Sequence, residues 1–155
     1  WICDDLAYNN GLFLSPSLMR KYVLPYIKKE VQAFKRKGVK VLLHCDGDVR
    51  LILNDLLETG IDGFHHMERS ARMDIRQIKE AYGDNICLIG NVENKLLLPF
   101  GTLQEIAEQT RECINIAAPG GGYMFASDHS IHPGVPYKKA KFMFDLAKKY
   151  GAYSK

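Results

Sequence analysis

Several features that define other classes of protein are scarce or missing in this 155-residue chain. Its four cysteines include no C-x-x-C pair, so a disulfide scaffold is not indicated and free thiols are expected. No apolar run approaches the roughly 20 residues of a membrane-spanning helix, which excludes a spanning protein. The formal net charge is only +3, and the 21 basic and 18 acidic residues are scattered along the chain, which disfavours a nucleic-acid-binding surface.

The beginning of the sequence also lacks familiar features. It has no initiator methionine, and residues 1–5 (W-I-C-D-D) are acidic where a signal peptide would be basic. We therefore expect a cytoplasmic protein and a processed or truncated product. What is present is an ordinary globular composition, with 46% hydrophobic and 25% charged residues, which predicts a single domain over residues 1–155.

Short apolar segments alternate with amphipathic helical segments five times along the chain. Strands are predicted over residues 1–7, 39–44, 61–65, 86–89 and 123–126. Helices are predicted over residues 15–38, with a kink at Pro25, and over 49–57, 72–82, 102–117 and 136–150. A capping-box pattern, Thr102 with Glu105, opens the fourth helix. Strands that alternate with helices of this length predict βα units and a parallel sheet.

Polar and ionisable side chains follow nearly every predicted strand: Asp4, Asp5, His44, Asp46, His65, Glu68, Asn91, Glu93, Asp128 and His129. A (β/α)8 barrel builds its active site from several strand ends at its carboxyl face, whereas an open sheet concentrates such residues at one switch point. The pattern therefore favours an α/β fold of the (β/α)8 TIM-barrel type. Because five βα units are too few to close a barrel of about 250 residues, we expect a partial barrel, the C-terminal five units only.

The strongest local signal is the pair His44 and Asp46 at the end of the second predicted strand. Side chains alternate along a strand, so these two point to one side and Cys45 to the other. Together they offer one nitrogen and one oxygen to a metal ion. The alternative is structural: Asp46 would cap the next helix and His44 would form a buried hydrogen bond, although Asp48 is better placed as the cap.

Further ionisable residues near strand ends are candidates for chemistry. His129 is a third metal ligand, a general acid, or a hydrogen-bond donor to a substrate carboxylate. Asp4 and Asp5 form an acidic pair in which one carboxyl acts as an acid near neutral pH; alternatively, only one of the two faces the barrel. His65 and His66 adjoin on opposite sides of a strand, so at most one is expected to face the site.

Four segments, in this order, resemble those of one protein family. They are L-P-Y at residues 24–26, H-C-D-G at 44–47, G-N-V-E at 90–93, and S-D-H at 127–129, just ahead of Pro133. On these segments the chain resembles the C-terminal part of the uroporphyrinogen decarboxylase superfamily, which includes corrinoid-linked methyltransferases. The matching stretches run almost from end to end of the chain.

The two branches of this family imply different chemistry. Resemblance to the decarboxylases implies a metal-free and cofactor-free lyase that holds a tetrapyrrole in the barrel mouth. This sequence keeps their histidine at His129, but at Asp5 they usually have a serine within S-x-A-G. Resemblance to the methyltransferases implies zinc bound through H-x-C and a later cysteine. The two cysteine positions correspond here to Asp46 and His129, which with His44 still form an N/O ligand set for zinc or another divalent metal.

We therefore predict metal-assisted methyl transfer with a corrinoid protein as partner. The metal would be held by His44, Asp46 and His129, and Asp5 and His129 are the candidate catalytic residues. Glu68, Asn91 and Glu93 would bind the substrate. One alternative is a cofactor-free uroporphyrinogen decarboxylase acting on a tetrapyrrole-type substrate. Another is a non-catalytic partial barrel that binds a corrinoid protein, or a second copy of itself through its open strand edges.

Overall fold

The computed structural model describes residues 1–152 and contains a five-stranded and a two-stranded sheet. The strands are β1 (Ile2–Cys3), β2 (Ala7–Tyr8), β3 (Gly11–Leu12), β4 (Leu42–His44), β5 (Gly63–His65), β6 (Cys87–Val92) and β7 (Tyr123–Ser127). The larger sheet is parallel throughout, with the order β1-β4-β5-β6-β7, and β2 and β3 form a separate antiparallel hairpin. The predicted α/β class and parallel sheet are confirmed.

The order of the strands distinguishes between the two architectures considered from the sequence. Strands of the larger sheet are neighbours in the order in which the chain forms them, with no reversal from β1 to β7. A doubly wound sheet reverses direction at a switch point, whereas a (β/α)8 barrel adds its strands in sequence. The five-stranded sheet is therefore consistent with part of a (β/α)8 barrel.

Helices connect successive strands of the larger sheet, and another helix follows β7. They are α1 (Pro16–Tyr22), α2 (Leu24–Lys35), α3 (Leu53–Glu58), α4 (Ile75–Tyr82), α5 (Leu97–Phe100), α6 (Leu103–Ala117) and α7 (Tyr137–Tyr150), and a short 3-10 turn (Arg50–Ile52) precedes α3. The Thr102–Glu105 capping box forms as predicted, because the Thr102 hydroxyl accepts from the Glu105 N–H and the Glu105 carboxylate accepts from the Thr102 N–H. Among the described residues, no helix is both long and apolar enough to cross a membrane.

The first predicted strand and the first predicted helix differ most from the structure. The predicted strand 1–7 is limited to β1, and Ala7 leaves the sheet to begin the hairpin. The predicted helix 15–38 is two helices that meet at Val23, since Pro25 occupies the first turn of α2, where a proline's missing N–H has no helical partner to lose. Helix α5 was not predicted from the sequence at all.

One hydrophobic cluster joins the helices to the sheet. Leu43, Phe64 and Leu88, on three neighbouring strands, are fully buried, as are Val31 on α2 and Ile106 on α6. Each such side chain contributes about 1.5–3 kcal/mol when it leaves water. All four cysteines are free thiols, as predicted. This packing fixes the strands, and thereby the positions of the polar side chains that follow them.

Asp62 ties helix α2 to the beginning of β4. Its carboxylate accepts from the ammoniums of Lys35 and Lys40 and from the Val41 N–H, at 2.9, 3.1 and 2.8 Å. Burial raises the pKa of Asp62, but these three donors outweigh it and hold the pKa at about 2, below the usual 3.8. The ionised form is therefore the form that stabilises the fold.

Replacing Asp62 with asparagine is expected to lower the free energy of unfolding by about 1 kcal/mol at neutral pH, because the two ammoniums are largely solvated. A lowered folded-state pKa stabilises the protein above the unfolded pKa, and this contribution disappears as the pH falls from about 4 to about 2. Urea denaturation at both ends of that range would measure the difference. Asp145→Asn, in the exposed Lys141–Asp145 pair, is the control and should change little. A penalty for Asp62→Asn that is the same at both pH values would contradict the assignment.

Candidate functional site

Two histidines meet at the carboxyl end of the sheet. His44 is the last residue of β4 and His65 the last residue of β5, and the parallel pairing places them opposite each other. Their Nδ1 atoms are 3.0 Å apart. Two nitrogens at this distance share one proton or one cation, because two lone pairs facing each other would repel.

Asp46 joins two further histidines to this pair. Its Oδ1 atom lies 3.1 Å from Nδ1 of His66 and 4.0 Å from Nε2 of His44. Its Oδ2 atom lies 3.2 Å from Nε2 of His129, whose ring stacks on that of His66. His66 is almost fully buried, whereas 46% of the His129 side chain is exposed. Asp46 therefore lies in one cluster with His44, His65, His66 and His129. His129 is on the solvent side of this cluster.

The turn after β4 is held by contacts to two other segments, one at Leu6 and one at Glu68. Cys45 points away from the cluster, as predicted, and its buried Sγ accepts from the Leu6 N–H at 3.3 Å. Burial raises the pKa of the Cys45 thiol to about 12, so it is a neutral packing group. The Gly47 N–H donates to Oε2 of Glu68 at 2.9 Å. These contacts fix the direction in which His44 and Asp46 project.

Burial keeps two of the imidazoles neutral. The pKa of His65 is lowered to about 3 by burial and by the neighbouring rings of His66 and His44. Burial also lowers the pKa of His66, to about 4, although Asp46 opposes the shift. A neutral imidazole has a free lone pair on one nitrogen, and this is the form that binds metals.

The donor set of the cluster fits a divalent metal. Two groups of three residues have ligand atoms that all lie within 4.8 Å of one another: His44, His65 and His66, and Asp5, His44 and Asp46. Nitrogen ligands at about 2.0–2.1 Å from zinc in a tetrahedral site are about 3.3 Å apart, close to the 3.0 Å between His44 and His65. Imidazole and carboxylate donors suit zinc and similar ions.

The structure brings together the residues predicted as metal ligands and as catalytic groups. His44 and His129 both face Asp46, and the Asp46 N–H donates to Oδ1 of Asp5 at 3.3 Å. Glu68 lies beside the same turn through its bond to Gly47. Asp46 does not cap the following helix: Asp48 accepts the Arg50 N–H there, as its position suggested.

Asn91 and Glu93, predicted to bind substrate, are occupied by backbone contacts. Asn91 does not follow its strand, because β6 continues to Val92. The Asn91 side chain is fully buried and its Nδ2 atom donates to the carbonyls of Met67 and Met73. Glu93 accepts the N–H groups of residues 96 and 97 at the beginning of α5. An acidic residue just ahead of a helix is a capping signal that the sequence does contain.

The expectation that at most one of His65 and His66 faces the site is wrong. Both rings contact His44, with centroids 5.1 and 4.5 Å from it, and His66 also bonds to Asp46. Side chains alternate only within a strand, and β5 ends at His65. Sequence reasoning therefore missed His66, for which the only available signal was the strand end itself.

Asp128 connects the loops around the cluster. It is buried, and its carboxylate accepts from the N–H groups of Asn94 and Arg69 at 2.7 and 3.2 Å. Burial raises the pKa of Asp128 to about 6, against the effect of these two donors. The residue joins the end of β7 to the segments that follow β5 and β6, and it sets the position from which His129 projects.

A parallel α/β sheet with an imidazole–carboxylate cluster beyond its strand ends is consistent with the class of (β/α)8-barrel folds, whose active sites lie at the carboxyl face. Within that class, the sequence profile of the uroporphyrinogen decarboxylase (URO-D) family matches residues 2–150. The chain belongs to this family. The resemblance that the sequence motifs indicated is confirmed.

Relatives of the chain include proteins with two different activities. It is 29% identical over 143 residues to a uroporphyrinogen decarboxylase of Chlorobium luteolum, covering 90% of this chain and 39% of that one. It is 30% identical over 134 residues to the methylcobamide:CoM methyltransferase MtbA of Methanosarcina acetivorans, covering 84% of this chain and 36% of that one. The chain thus spans about two fifths of the length of these relatives.

A solved structure shows the same fold. A methyltransferase from Methanosarcina mazei superimposes with a TM-score of 0.78, covering 97% of this chain and 42% of that one, at 23% sequence identity. The fold of the five-stranded sheet and its helices is therefore that of part of a URO-D family protein.

Proposed function

We propose that the protein carries out metal-assisted methyl transfer with a corrinoid protein as partner. The observation that carries the proposal is the position of His44, which belongs to both groups of ligand atoms close enough to hold one ion. The similarity to a methylcobamide:CoM methyltransferase over 84% of the chain supports the same chemistry.

This proposal assigns a separate role to His44, Asp46, His129 and Asp5. The metal would lower the pKa of the thiol or hydroxyl that accepts the methyl group, and the corrinoid protein would supply that group. His44 binds the ion, and Asp46 accepts a hydrogen bond that orients the ring of His66, while its Oδ2 atom lies 3.2 Å from Nε2 of His129. His129, which is half exposed, is placed to exchange a proton with a bound substrate. Asp5 contacts the turn through the Asp46 N–H and is the second candidate acid or base.

A second function is favoured by one observation. Among the histidines paired with Asp46, His129 is the most exposed to solvent. An imidazole at this position is able to bind a substrate carboxylate. In a cofactor-free uroporphyrinogen decarboxylase that carboxylate would belong to a tetrapyrrole. The 29% identity to a decarboxylase over 90% of the chain supports this alternative.

Elemental analysis of His44→Ala beside the wild-type protein distinguishes the two functions. Both should be purified from the longest reading frame that contains this sequence. We expect about one divalent ion per wild-type chain and none in His44→Ala, because the ligand common to both candidate groups is removed. His132→Ala removes an exposed imidazole whose Nδ1 accepts the Gly134 N–H within its own turn, and this control should keep the ion.

A folded wild-type protein that binds no zinc, cobalt or nickel after reconstitution would contradict methyl transfer by this site. Tetrapyrrole binding, abolished by His129→Ala, would then support the decarboxylase.

A further inference from the structure

We infer that a second cavity, separate from the histidine cluster, binds the phosphate group of a small organic molecule. Its volume is about 330 Å³, and it is lined by Arg50, Arg69, Arg72, Asp74, Gln77 and Asn91. Small-molecule sites commonly have volumes of about 300–1,000 Å³. The cavity is formed by protein side chains alone, so its binding of phosphate does not depend on the proposed metal.

The arginines belong to the two loops that also hold the candidate site. Arg50 ends the turn that contains Asp46 and follows β4. Arg69 directly follows Glu68, whose carboxylate accepts the Gly47 N–H of that turn. Both loops leave the carboxyl ends of parallel strands, the end at which α/β folds place their ligand sites.

Two of the guanidiniums are fixed and still have unused donors. Arg50 donates from Nε and Nη2 to Asp48, at 2.8 and 2.7 Å. Arg69 donates from Nε to the Asn91 carbonyl and from Nη2 to Glu112, both at 2.9 Å. A guanidinium has five N–H groups, and neither Nη1 atom has an acceptor within residues 1–152. Because these donors are already held in place, an anion that accepts from them loses little side-chain entropy on binding.

The third guanidinium, that of Arg72, has no partner in the described part of the chain. Its side chain is exposed and makes no hydrogen bond or ion pair there. The φ of Arg72 is +61°, and among the described residues it is the one non-glycine residue with a positive φ. A left-handed backbone is unfavourable for a residue with a Cβ atom, and residues strained in this way cluster at ligand-binding sites.

The charges that line the cavity favour an anion. Three guanidiniums face one carboxylate, Asp74, whose Oδ1 already accepts from two N–H groups at the beginning of α4. The acidic partners of Arg50 and Arg69, which are Asp48 and Glu112, do not line the cavity.

The arrangement of the donors favours phosphate over carboxylate. One guanidinium fork is sufficient for the two oxygens of a carboxylate. Donors from two different loops suit a tetrahedral group instead, because its oxygens point in several directions. The cavity is also larger than a phosphate ion, so it has room for the organic part of the ligand.

Calorimetric titration with inorganic phosphate, using the longest available form of the protein, tests this site. Arg72→Gln should weaken phosphate binding about 10-fold or more, because a charge-assisted hydrogen bond is lost. Arg76→Gln makes the same change at an exposed position of α4 that does not line the cavity, and it should bind phosphate as the wild type does. Arg72→Gly should also lose phosphate affinity, yet be at least as stable in urea as the wild type, since glycine adopts a positive φ without strain.

The outcomes separate this site from the proposed metal site. His44→Ala should keep its affinity for phosphate, and a loss there would assign the anion to the metal instead of the cavity. Equal phosphate affinities of Arg72→Gln and Arg76→Gln, or no phosphate binding by the folded wild-type protein, would overturn the inference. Acetate that binds as tightly as phosphate would overturn the choice of phosphate. If the wild-type protein binds phosphate but no metal, the proposed function fails and the cavity assignment stands.

Discussion

Gly47→Ala is expected to lower the free energy of unfolding by about 3 kcal/mol and to weaken metal binding at the candidate site. Gly47 has a φ of +87°, a backbone conformation that L side chains rarely adopt. A Cβ atom at this position would also lie 2.7 Å from the carbonyl carbon of Ala7 and 2.7 Å from the backbone nitrogen of Tyr8. Both contacts are with backbone, so no side chain can rotate away to relieve them.

The collision would reach the site because the turn and the hairpin are joined. The Asp48 N–H donates to the Tyr8 carbonyl at 3.1 Å, and the Gly47 N–H donates to Glu68 at 2.9 Å. Moving the turn away from Ala7 lengthens these bonds and displaces Asp46, the neighbour of Gly47 that contacts His66 and His129. Stability and metal affinity should therefore fall together.

Gly38→Ala is the matched control for this substitution. Gly38 also has a positive φ, +75°, but nothing lies within 4 Å of its hypothetical Cβ. It should cost only the conformational penalty, about 1 kcal/mol, and leave metal affinity unchanged. Urea denaturation and zinc titration of both variants measure the two effects. Equal losses of stability in the two variants would show that the contact with Ala7 does not contribute to the effect of Gly47→Ala on the free energy of unfolding.

The sequence predicted those parts of the fold that depend on neighbouring residues. The capping box at Thr102 is a pattern of four residues, and the helix it opens ends at Ala117 as predicted. His44 and Asp46 lie on one side and Cys45 points elsewhere, as predicted, although β4 itself ends at His44. Local rules are sufficient where both partners lie within a few residues.

Strand ends were less predictable, because pairing between distant segments determines them. Strand β6 extends to Val92 since Asn91 and Val92 pair with Ala126 and Ser127 of β7, more than thirty residues later in the chain. Asn91 thereby lies inside a strand instead of after it. In the same way, β5 ends at His65, which pairs with His44. The side chain of His66 therefore does not follow the alternation of the strand. One-residue differences of this kind decide which side chains enter the site.

Overall sequence similarity does not choose between the two activities of the relatives. The identities are 29% to the decarboxylase over 143 residues and 30% to the methyltransferase over 134 residues. The side chains at the strand ends are therefore the better guide. His44, His65 and His66 lie close together there, and imidazoles are donors that suit zinc and similar ions, which favours the proposed methyl transfer.

Replacing Asn91 with leucine is expected to lower the free energy of unfolding by about 2–5 kcal/mol, because two buried backbone carbonyls would lose their donor. The Asn91 amide donates to Met67 and, at 2.9 Å, to Met73, which hold the segment after His66 against β6. The leucine side chain has a similar volume to that of asparagine but no N–H group. The change thus tests a structural role for a residue that the sequence assigned to substrate binding.

Asn115→Leu makes the same chemical change at an exposed position of α6 and should alter stability by less than about 0.5 kcal/mol. Urea denaturation of the two variants gives the comparison, and zinc titration of Asn91→Leu reports whether displacement of Met67 reaches the neighbouring His66. If Asn91→Leu is as stable as Asn115→Leu but loses affinity for substrate, Asn91 binds substrate and its bonds to Met67 and Met73 contribute little. A large loss of stability instead makes the Asn91 amide the support that fixes the histidine-bearing segment beside β6.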